Sequence, residues 1–320
     1  MRGHGPATGI TVDVMADQPL SEFAVAPPHS APGVTSMVGY RVREDPATVH
    51  RGMPSSALVF IVSLDDGVQA AATAEALPAA RPSPIILGGL HTQASQVRQR
   101  RGQTGVQLAV HPLASRALFG VPAAQLSVTD FDAAPVLGRA AAELHERAAE
   151  ARGWPDAFAL VAHHLLDAHR RRDGVTVRPE VAYAWHQLER SRGTAPVGAL
   201  AEQVGVSTRH LITLFRREVG RTPKTVAMLM RFEYATALIA DAARRYHRVD
   251  LAAIAAAAGY ADQAHLTRDF VRFAGVPPGV WLAEEFQNIQ DGGHGIRSQW
   301  CYDHFQDHFQ SDRLGDPASA

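Results

Sequence analysis

The sequence predicts an α+β protein of two regions, a β-rich N-terminal region followed by an all-helical C-terminal region. Three observations support this. Short β-branched runs separated by turn signals lie within residues 36–130, helical periodicity begins near residue 131, and the helical part contains an internal repeat. With 320 residues, the chain is long enough for two domains of ordinary size.

The composition is typical of a globular protein and excludes several classes. Hydrophobic residues make up 46% of the chain and charged residues 20%, and the formal net charge is −1. Any affinity for nucleic acid must therefore come from a local patch. The single cysteine, Cys301, excludes an internal disulfide. Neither a signal segment nor a run long enough to span a membrane is evident, so we expect a cytoplasmic protein with no membrane association.

The N-terminal part begins with about 35 residues rich in Pro, Ala, Gly and Ser, which predict a flexible arm over 1–35. Three short β-branched or apolar runs follow at 56–64, 84–90 and 106–110. Because these runs are short and turn signals such as DDG at 65–67 separate them, they favour an antiparallel sandwich or barrel.

Helical patterns then predict three helices at 134–153, 154–172 and 179–193. Their apolar residues lie three and four apart, Pro155 stands near the start of the second helix, and glycines end the first and third. We expect this region, residues 131–193, to act as a helical connector. It could mediate dimerisation or cover the β-rich region.

The region 197–285 contains the internal repeat. LAEQVGVSTRHLITLFRREVGRTP at 200–223 matches IAAAAGYADQAHLTRDFVRFAGVPP at 254–278, with one extra residue in the turn of the second copy. A glycine marks each turn, and Ser207 and Asp262 are suited to cap the helix that follows. Each copy therefore predicts a helix–turn–helix unit.

The second helix of each unit has a predicted buried face and a polar face. The buried faces comprise Leu211, Leu214, Phe215 and Glu218 in the first copy, and Leu266, Asp269, Phe270 and Phe273 in the second. The opposite faces carry Arg, His, Gln and Thr, which suit base edges and phosphates in a major groove. Residues 223–245 predict one helix of about 30 Å between the units. That length is close to the roughly 34 Å between successive major-groove faces of B-DNA, so we predict double-stranded DNA as the partner.

Residues 197–285 resemble the tandem helix-turn-helix domain of the AraC/XylS family of transcription regulators. The segments GYADQAHLTRDFVRFAGVPP and LAEQVGVSTRHLITLFRREVGRTP carry the resemblance. It implies base contacts for Arg209, Ile212, Thr213, Gln263, His265 and Arg268. Ile212 departs from the polar residue often found there, so a thymine methyl is its expected contact. The exposed faces add His210, Arg216, Arg217 and Arg272 as base or phosphate contacts.

The N-terminal part more loosely resembles the sensor region of AraC-type regulators, through GYR (39–41), HRGMPSSALVFIVSL (50–64) and GVQLAVHPLASRALFGVPAAQL (105–126). This resemblance implies a cupin-like, effector-sensing barrel at 36–130 with trailing helices that form a homodimer. A small-molecule effector and RNA polymerase are the further candidate partners. His91 and Arg98 are candidate contacts to an anionic effector, and a solvated loop is the alternative.

Other classes of function compete with this interpretation. One is an enzymatic or metal-binding cupin with an accessory helical domain, and another acts through protein–protein contact alone. The lack of a His-x-His motif disfavours catalysis, so we expect no enzymatic activity, no cofactor and no metal. In the tail at 286–320, Cys301, His304 and His308 could bind a soft metal, but no fourth ligand is evident, which favours a packed extension.

Overall fold

The structure, a computed structural model, describes residues 10–11, 21–45, 49–246 and 248–290. Its strands are β1 (Ile10–Thr11), β2 (Ser21–Val25), β3 (Val34–Val42), β4 (His50–Gly52), β5 (Leu58–Ser63), β6 (Gln69–Ala71), β7 (Ile85–Gly88), β8 (Ser95–Arg98), β9 (Thr104–Val110) and β10 (Arg248–Val249). Its α-helices are α1 (Ser115–Phe119), α2 (Ala134–Leu137), α3 (Arg139–Ala149), α4 (Trp154–Arg171), α5 (Pro179–Arg190), α6 (Val197–Gln203), α7 (Thr208–Val219), α8 (Pro223–Tyr246), α9 (Leu251–Ala257), α10 (Gln263–Ala274) and α11 (Pro278–Gln290).

Two antiparallel sheets form the N-terminal region. The larger has the strand order β2-β3-β9-β5-β7 and the smaller has the order β4-β8-β6. The central strand β9 places Gln107 opposite Val38 of β3 and Ile61 of β5. The predicted strands at 56–64, 84–90 and 106–110 are thus confirmed. A separate pair joins β1 to β10.

The two faces of the larger sheet have different surroundings. Leu58, Phe60 and Val62 are fully buried in the main hydrophobic core, where the connector helices pack on the sheet. Because side chains alternate along a strand, Ile61 points the other way. It belongs to a smaller cluster with Phe131 and others on the side that faces a cavity.

The predicted flexible arm at 1–35 is wrong for residues 21–25. These residues form β2, which pairs along its whole length with β3, from Ser21 opposite Val42 to Val25 opposite Val38. Backbone pairing and the contact of Phe23 with the cavity order this segment, although its Pro- and Ala-rich neighbours suggested a loose chain.

The predicted helix over 134–153 is also wrong in extent. Gly138 has φ 58° and ψ −136°, which separates α2 from α3, and α3 ends at Ala149. The apolar spacing continues across the break, so periodicity did not reveal it. Glycine adopts this positive φ without the clash that a Cβ would cause.

The C-terminal region is helical from α6 to α11. Helix α8 contacts α5, α7, α9, α10 and α11, so it is buried over a broad face that includes Leu229, Phe232 and Ile239. The predicted α+β fold class is confirmed: a β-rich region of two antiparallel sheets is followed by trailing helices and a tandem pair of helix-turn-helix units. Across the described residues, every helix is too short or too polar to cross a bilayer.

Candidate nucleic-acid interface

The first helix-turn-helix unit comprises α6 and α7. Gly205 adopts a left-handed conformation with φ 73°, which turns the chain after α6. Ser207 then caps α7, because its Oγ accepts a hydrogen bond from the backbone N–H of His210 at 3.2 Å. Gly220, with φ 74°, ends α7. The predicted cap is confirmed.

The second unit, α9 and α10, repeats this design. Gly259 has φ 74°, and the carboxylate of Asp262 accepts a hydrogen bond from the backbone N–H of His265 at 2.7 Å. Tyr260 takes the place of Val206, since each donates its backbone N–H to a carbonyl of the preceding helix. Ala261 is therefore the extra residue of the second turn.

The predicted buried faces of both recognition helices are confirmed. The buried residues are Leu211, Leu214, Phe215 and Glu218 on α7, and Leu266, Asp269, Phe270 and Phe273 on α10. Aromatic contacts fix the two helices in place. Trp185 of α5 stacks on Phe215 with ring centroids 6.4 Å apart, and Phe232 of α8 lies 5.1 Å from Phe270.

The outward faces of α7 and α10 carry five exposed arginines. They are Arg209, Arg216 and Arg217 on α7, and Arg268 and Arg272 on α10. Within the described residues, none of the five forms an ion pair with a carboxylate. Arg268 reaches only its own helix, through Nε to the carbonyl of Ala264 at 3.2 Å. Their guanidinium groups are therefore available for phosphate or guanine.

The other candidate DNA contacts lie beside these arginines. Ile212, Thr213, Gln263 and His265 are half-buried, whereas His210 is exposed. Thr213 donates its hydroxyl to the carbonyl of Arg209 at 3.0 Å, so the oxygen can still accept a hydrogen bond. The ring of His265 packs edge-on against Tyr260, with centroids 5.1 Å apart, which fixes its direction at the start of α10.

A buried polar cluster supports that position. Burial raises the pKa of the Tyr260 phenol above its ordinary value, and the neighbouring charge of Asp269 adds to the effect. The guanidinium of Arg231 lies 5.5 Å from the centroid of the Tyr260 ring. The phenol therefore stays protonated, and the fixed Tyr260 ring supports the side chain of His265. Sequence analysis did not identify Arg231 or Tyr260 in this role.

Helix α8 separates the two units. Its 24 residues correspond to about 36 Å at 1.5 Å per residue. That length is comparable to the roughly 34 Å pitch that separates major-groove faces on one side of B-DNA.

The recognition helices are attached at their rear to the N-terminal region. Arg116 Nε donates to Glu218 Oε1 of α7 at 2.8 Å, and Arg221 Nε donates to the carbonyl of Leu90 at 2.6 Å. In the second unit, the backbone N–H of Ala94 donates to the carbonyl of Phe273 at 2.7 Å. These contacts leave the outward faces uncovered.

Strand β4 makes a second set of contacts to the C-terminal helices. Arg51 binds Glu284 of α11 through two hydrogen bonds of 2.6 and 3.2 Å, and His50 Nδ1 lies 3.0 Å from Glu285 Oε1. The hydrogen bond that Arg51 donates to Glu284 raises the pKa of Arg51, against the opposing effect of burial. Nearby, the hydroxyl of Ser56 donates to Glu233 of α8 at 2.7 Å.

A cavity of about 120 Å³ lies between the two sheets. Of the two candidate effector contacts, His91 is buried and lines this cavity, whereas Arg98 is exposed and does not line it. Residues 50–52 line the same cavity, so β4 faces it on one side and contacts α11 as well.

Comparisons with known proteins define the class of the C-terminal region. Residues 200–284 match the family described as a helix-turn-helix domain. Together with the tandem geometry, this match confirms that the region is an AraC-type helix-turn-helix domain, the DNA-binding part of a transcription regulator. No curated protein sequence matches the chain.

Structures of ToxT from Vibrio cholerae are among the solved structures to which this chain is similar. The ToxT structure of strain O395 is 12% identical, with a TM-score of 0.44, over 79% of this chain and 97% of that chain. A second ToxT structure, bound to (E)-4-(8-methylnaphthalen-1-yl)but-3-enoic acid, is 12% identical, with a TM-score of 0.44, over 82% and 99%. A third, bound to unsaturated fatty acid, is 8% identical, with a TM-score of 0.45, over 84% and 97%.

The candidate metal ligands of the tail, Cys301, His304 and His308, lie outside the described residues.

Proposed function

We propose that the protein is a sequence-specific transcription regulator that reads two neighbouring half-sites in bacterial DNA, in the cytoplasm. The main support is the set of five exposed arginines without a carboxylate partner, divided between two recognition helices that one long helix separates. Structural arginines elsewhere, such as Arg51 and Arg116, bind carboxylates. Unpaired guanidinium groups in this arrangement suit the phosphates and guanines of a duplex.

The residue roles within this proposal follow from position on the helix. We assign base contacts to Arg209, Ile212, Thr213, Gln263, His265 and Arg268. Arg216, Arg217 and Arg272 contact phosphates, and His210 contacts a base or a phosphate. Side chains near the start of a recognition helix enter the groove, whereas those further along approach the backbone.

The same proposal divides the chain by role. Residues 36–130 sense a small-molecule effector, 131–193 connect and dimerise, and 197–285 bind DNA and present a surface to RNA polymerase. Strand β4 supports an effector role, because it lines the cavity and also binds α11 through Arg51. An occupant of the cavity that shifts β4 would alter how the second unit is held.

The test is a fluorescence anisotropy titration of the full-length protein on DNA from upstream of its own gene, at several salt concentrations. We expect saturable binding that competes successfully against scrambled DNA and weakens as salt rises. A variant with Arg216→Ala and Arg217→Ala should bind more weakly. Arg139→Ala, which removes an exposed arginine of α3 far from the recognition helices along the chain, is the matched control. Equal affinity for scrambled DNA, or no binding at low salt, would refute the proposal.

A further inference from the structure

The cavity between the two sheets is large enough for an organic molecule. Its volume of about 120 Å³ exceeds, by several-fold, the roughly 10–15 Å³ that one buried water requires. Residues from both sheets line it, among them Val38 and Ile61 of the larger sheet and Val97 of the smaller sheet. The space is therefore a shaped interior site.

The walls of the cavity are mainly apolar. On the larger sheet, Val38, Val59, Ile61 and Ile86 face inward, and Phe131 closes one side. Val38 and Val59 remain only half-buried, whereas the residues on the other face of β5 are fully buried in the main core. The inner face thus keeps apolar surface that an apolar ligand body would cover.

Several polar side chains in this apolar setting lack a hydrogen-bond partner among the described residues, and two of them lie together on the larger sheet. The side-chain amide of Gln107 and the hydroxyl of Tyr40 both line the cavity, and neither forms a hydrogen bond with any residue that the structure describes. They are neighbours on the sheet, since Gln107 lies opposite Val38, two residues from Tyr40 on β3. Polar groups left unpaired in such a site cost free energy until a ligand or water binds them.

The position of Tyr40 depends on a glycine. A Cβ at Gly105 would lie 2.6 Å from the Tyr40 hydroxyl oxygen, so only glycine lets the phenol lie against β9. Burial raises the pKa of Tyr40, and the charge of Asp65 adds to this rise. The phenol therefore remains a neutral hydrogen-bond donor, and Gln107 supplies both a donor and an acceptor.

The basic side chains that line the cavity already have partners. Arg51 binds both carboxylate oxygens of Glu284, and His50 lies beside Glu285. The ring nitrogens of His91 lie 3.4 Å from the carbonyl oxygen of Gly89 and 3.3 Å from that of Gly52. An anionic ligand would lose its hydration and would have to displace a carboxylate of the protein from Arg51.

We propose that this cavity binds an uncharged, largely apolar small molecule, whose one neutral hydrogen-bonding group is held by Gln107 and Tyr40. The binding site itself is inferred from the cavity alone, and only the role of the ligand as an effector rests on the proposed regulator function. It differs from the anionic effector that His91 and Arg98 suggested in the sequence.

The test uses two probes of the same shape and different charge, para-propylbenzamide and para-propylbenzoate. Each is titrated by isothermal calorimetry into the full-length protein at neutral pH, without DNA. We expect the amide to bind at least about tenfold more tightly than the benzoate, because the benzoate must lose the hydration of its charge and cannot donate a hydrogen bond to Gln107. Gln107→Leu should weaken amide binding by about tenfold without lowering the melting temperature of the ligand-free protein, because Gln107 has no hydrogen bond to a described residue to lose.

The matched control is Gln96→Leu. Gln96 lies on β8 between cavity-lining residues and does not itself line the cavity, so this change should leave the affinity for the amide unaltered. Equal or tighter binding of the benzoate, no binding of either probe, or equal effects of the two glutamine variants would overturn the inference. The DNA titration is read separately. Amide binding without DNA binding would refute the proposed regulator function but support the ligand site. DNA binding without amide binding would support the regulator function but refute the ligand site.

Discussion

The two helix-turn-helix units share one frame but present different chemistry to DNA. Both have a glycine in the turn, a capped recognition helix and a fully buried phenylalanine. The first unit presents three exposed arginines with Ile212 and Thr213, whereas the second presents two with Gln263 and His265. The turn, the cap and the buried phenylalanine are the same in both units because each recognition helix must pack against its neighbours in the same way. The outward face is free to differ, so the first unit should contribute more to affinity and the second more to sequence selectivity.

The rear faces of the units differ as well. Glu218, the buried acid of the first recognition helix, forms an ion pair with Arg116 of the N-terminal region. Asp269, the buried acid of the second recognition helix, instead lies near Tyr260 of its own unit, whose ring also contacts Arg231 of α8. The second unit meets the N-terminal region through a backbone hydrogen bond at Phe273, and the following helix α11 meets it through the ion pair of Arg51 with Glu284. Signals from the N-terminal region should therefore reach the two units by separate contacts.

The largest expected effect on stability comes from removing a buried phenylalanine that both units have. Phe270→Ala removes a fully buried ring that contacts Phe232 and Trp281, and should lower the free energy of unfolding by about 3–5 kcal/mol. Denaturant titration measures this. The neighbouring Val271→Ala, at a position that is 44% exposed, should change it by less than about 0.5 kcal/mol. Similar losses for both variants would contradict the predicted packing of α10.

A smaller effect separates base contacts from phosphate contacts. Arg268→Ala should cost about 1–3 kcal/mol on the specific site and relax selectivity there. Arg216→Ala, in the first unit, should weaken binding to all sequences alike and reduce the salt slope by about 1. Competition titrations with specific and scrambled DNA distinguish the two outcomes. An equal loss on both DNAs for Arg268→Ala would place it on the phosphate backbone.

The rear contacts predict local changes in hydrogen exchange. Arg116→Met leaves the carboxylate of Glu218 without its partner and should speed exchange in α7, and Arg51→Met should do the same in α11. The free energy of local opening should fall by at most about 1.5–3 kcal/mol, which is the contribution of a hydrogen bond to a charged group. The fall should be smaller in α7, because Arg116 is partly exposed. Uniform changes throughout the protein after either substitution would contradict separate contacts.

The caps give the smallest expected difference. Ser207→Ala and Asp262→Ala should each lower stability by about 1 kcal/mol, with the larger loss at Asp262. Its hydrogen bond is shorter, at 2.7 Å against 3.2 Å, and its acceptor is a carboxylate. Thermal unfolding of the two variants under identical conditions provides the comparison, and a larger loss for Ser207→Ala would reverse the expected order.

Features set by neighbouring residues could be predicted from the sequence. Ser207 and Asp262 lie three residues before the N–H groups that they bind, and the buried faces of α7 and α10 follow from a single helical period. The same periodicity concealed the break at Gly138, because apolar spacing continues on both sides of it.

Features that join distant residues could not be predicted. Arg116 and Glu218 are 102 positions apart, and no local pattern marks either as a partner. Gln107 and Tyr40 become neighbours only through the register of β3 and β9, which a single sequence does not specify. For the same reason, the sequence suggested charged effector contacts at His91 and Arg98 and did not point to the neutral pair.

Selection of binding sites from a random DNA pool by the full-length protein tests the central claim most directly. Because α8 separates the two recognition helices, we predict a DNA site with two half-sites, whose centres lie about 10 base pairs apart on one face of the duplex. Inserting about half a helical turn between them should abolish the tight binding. Recovery of a single uninterrupted half-site, or tolerance of that insertion, would contradict the account.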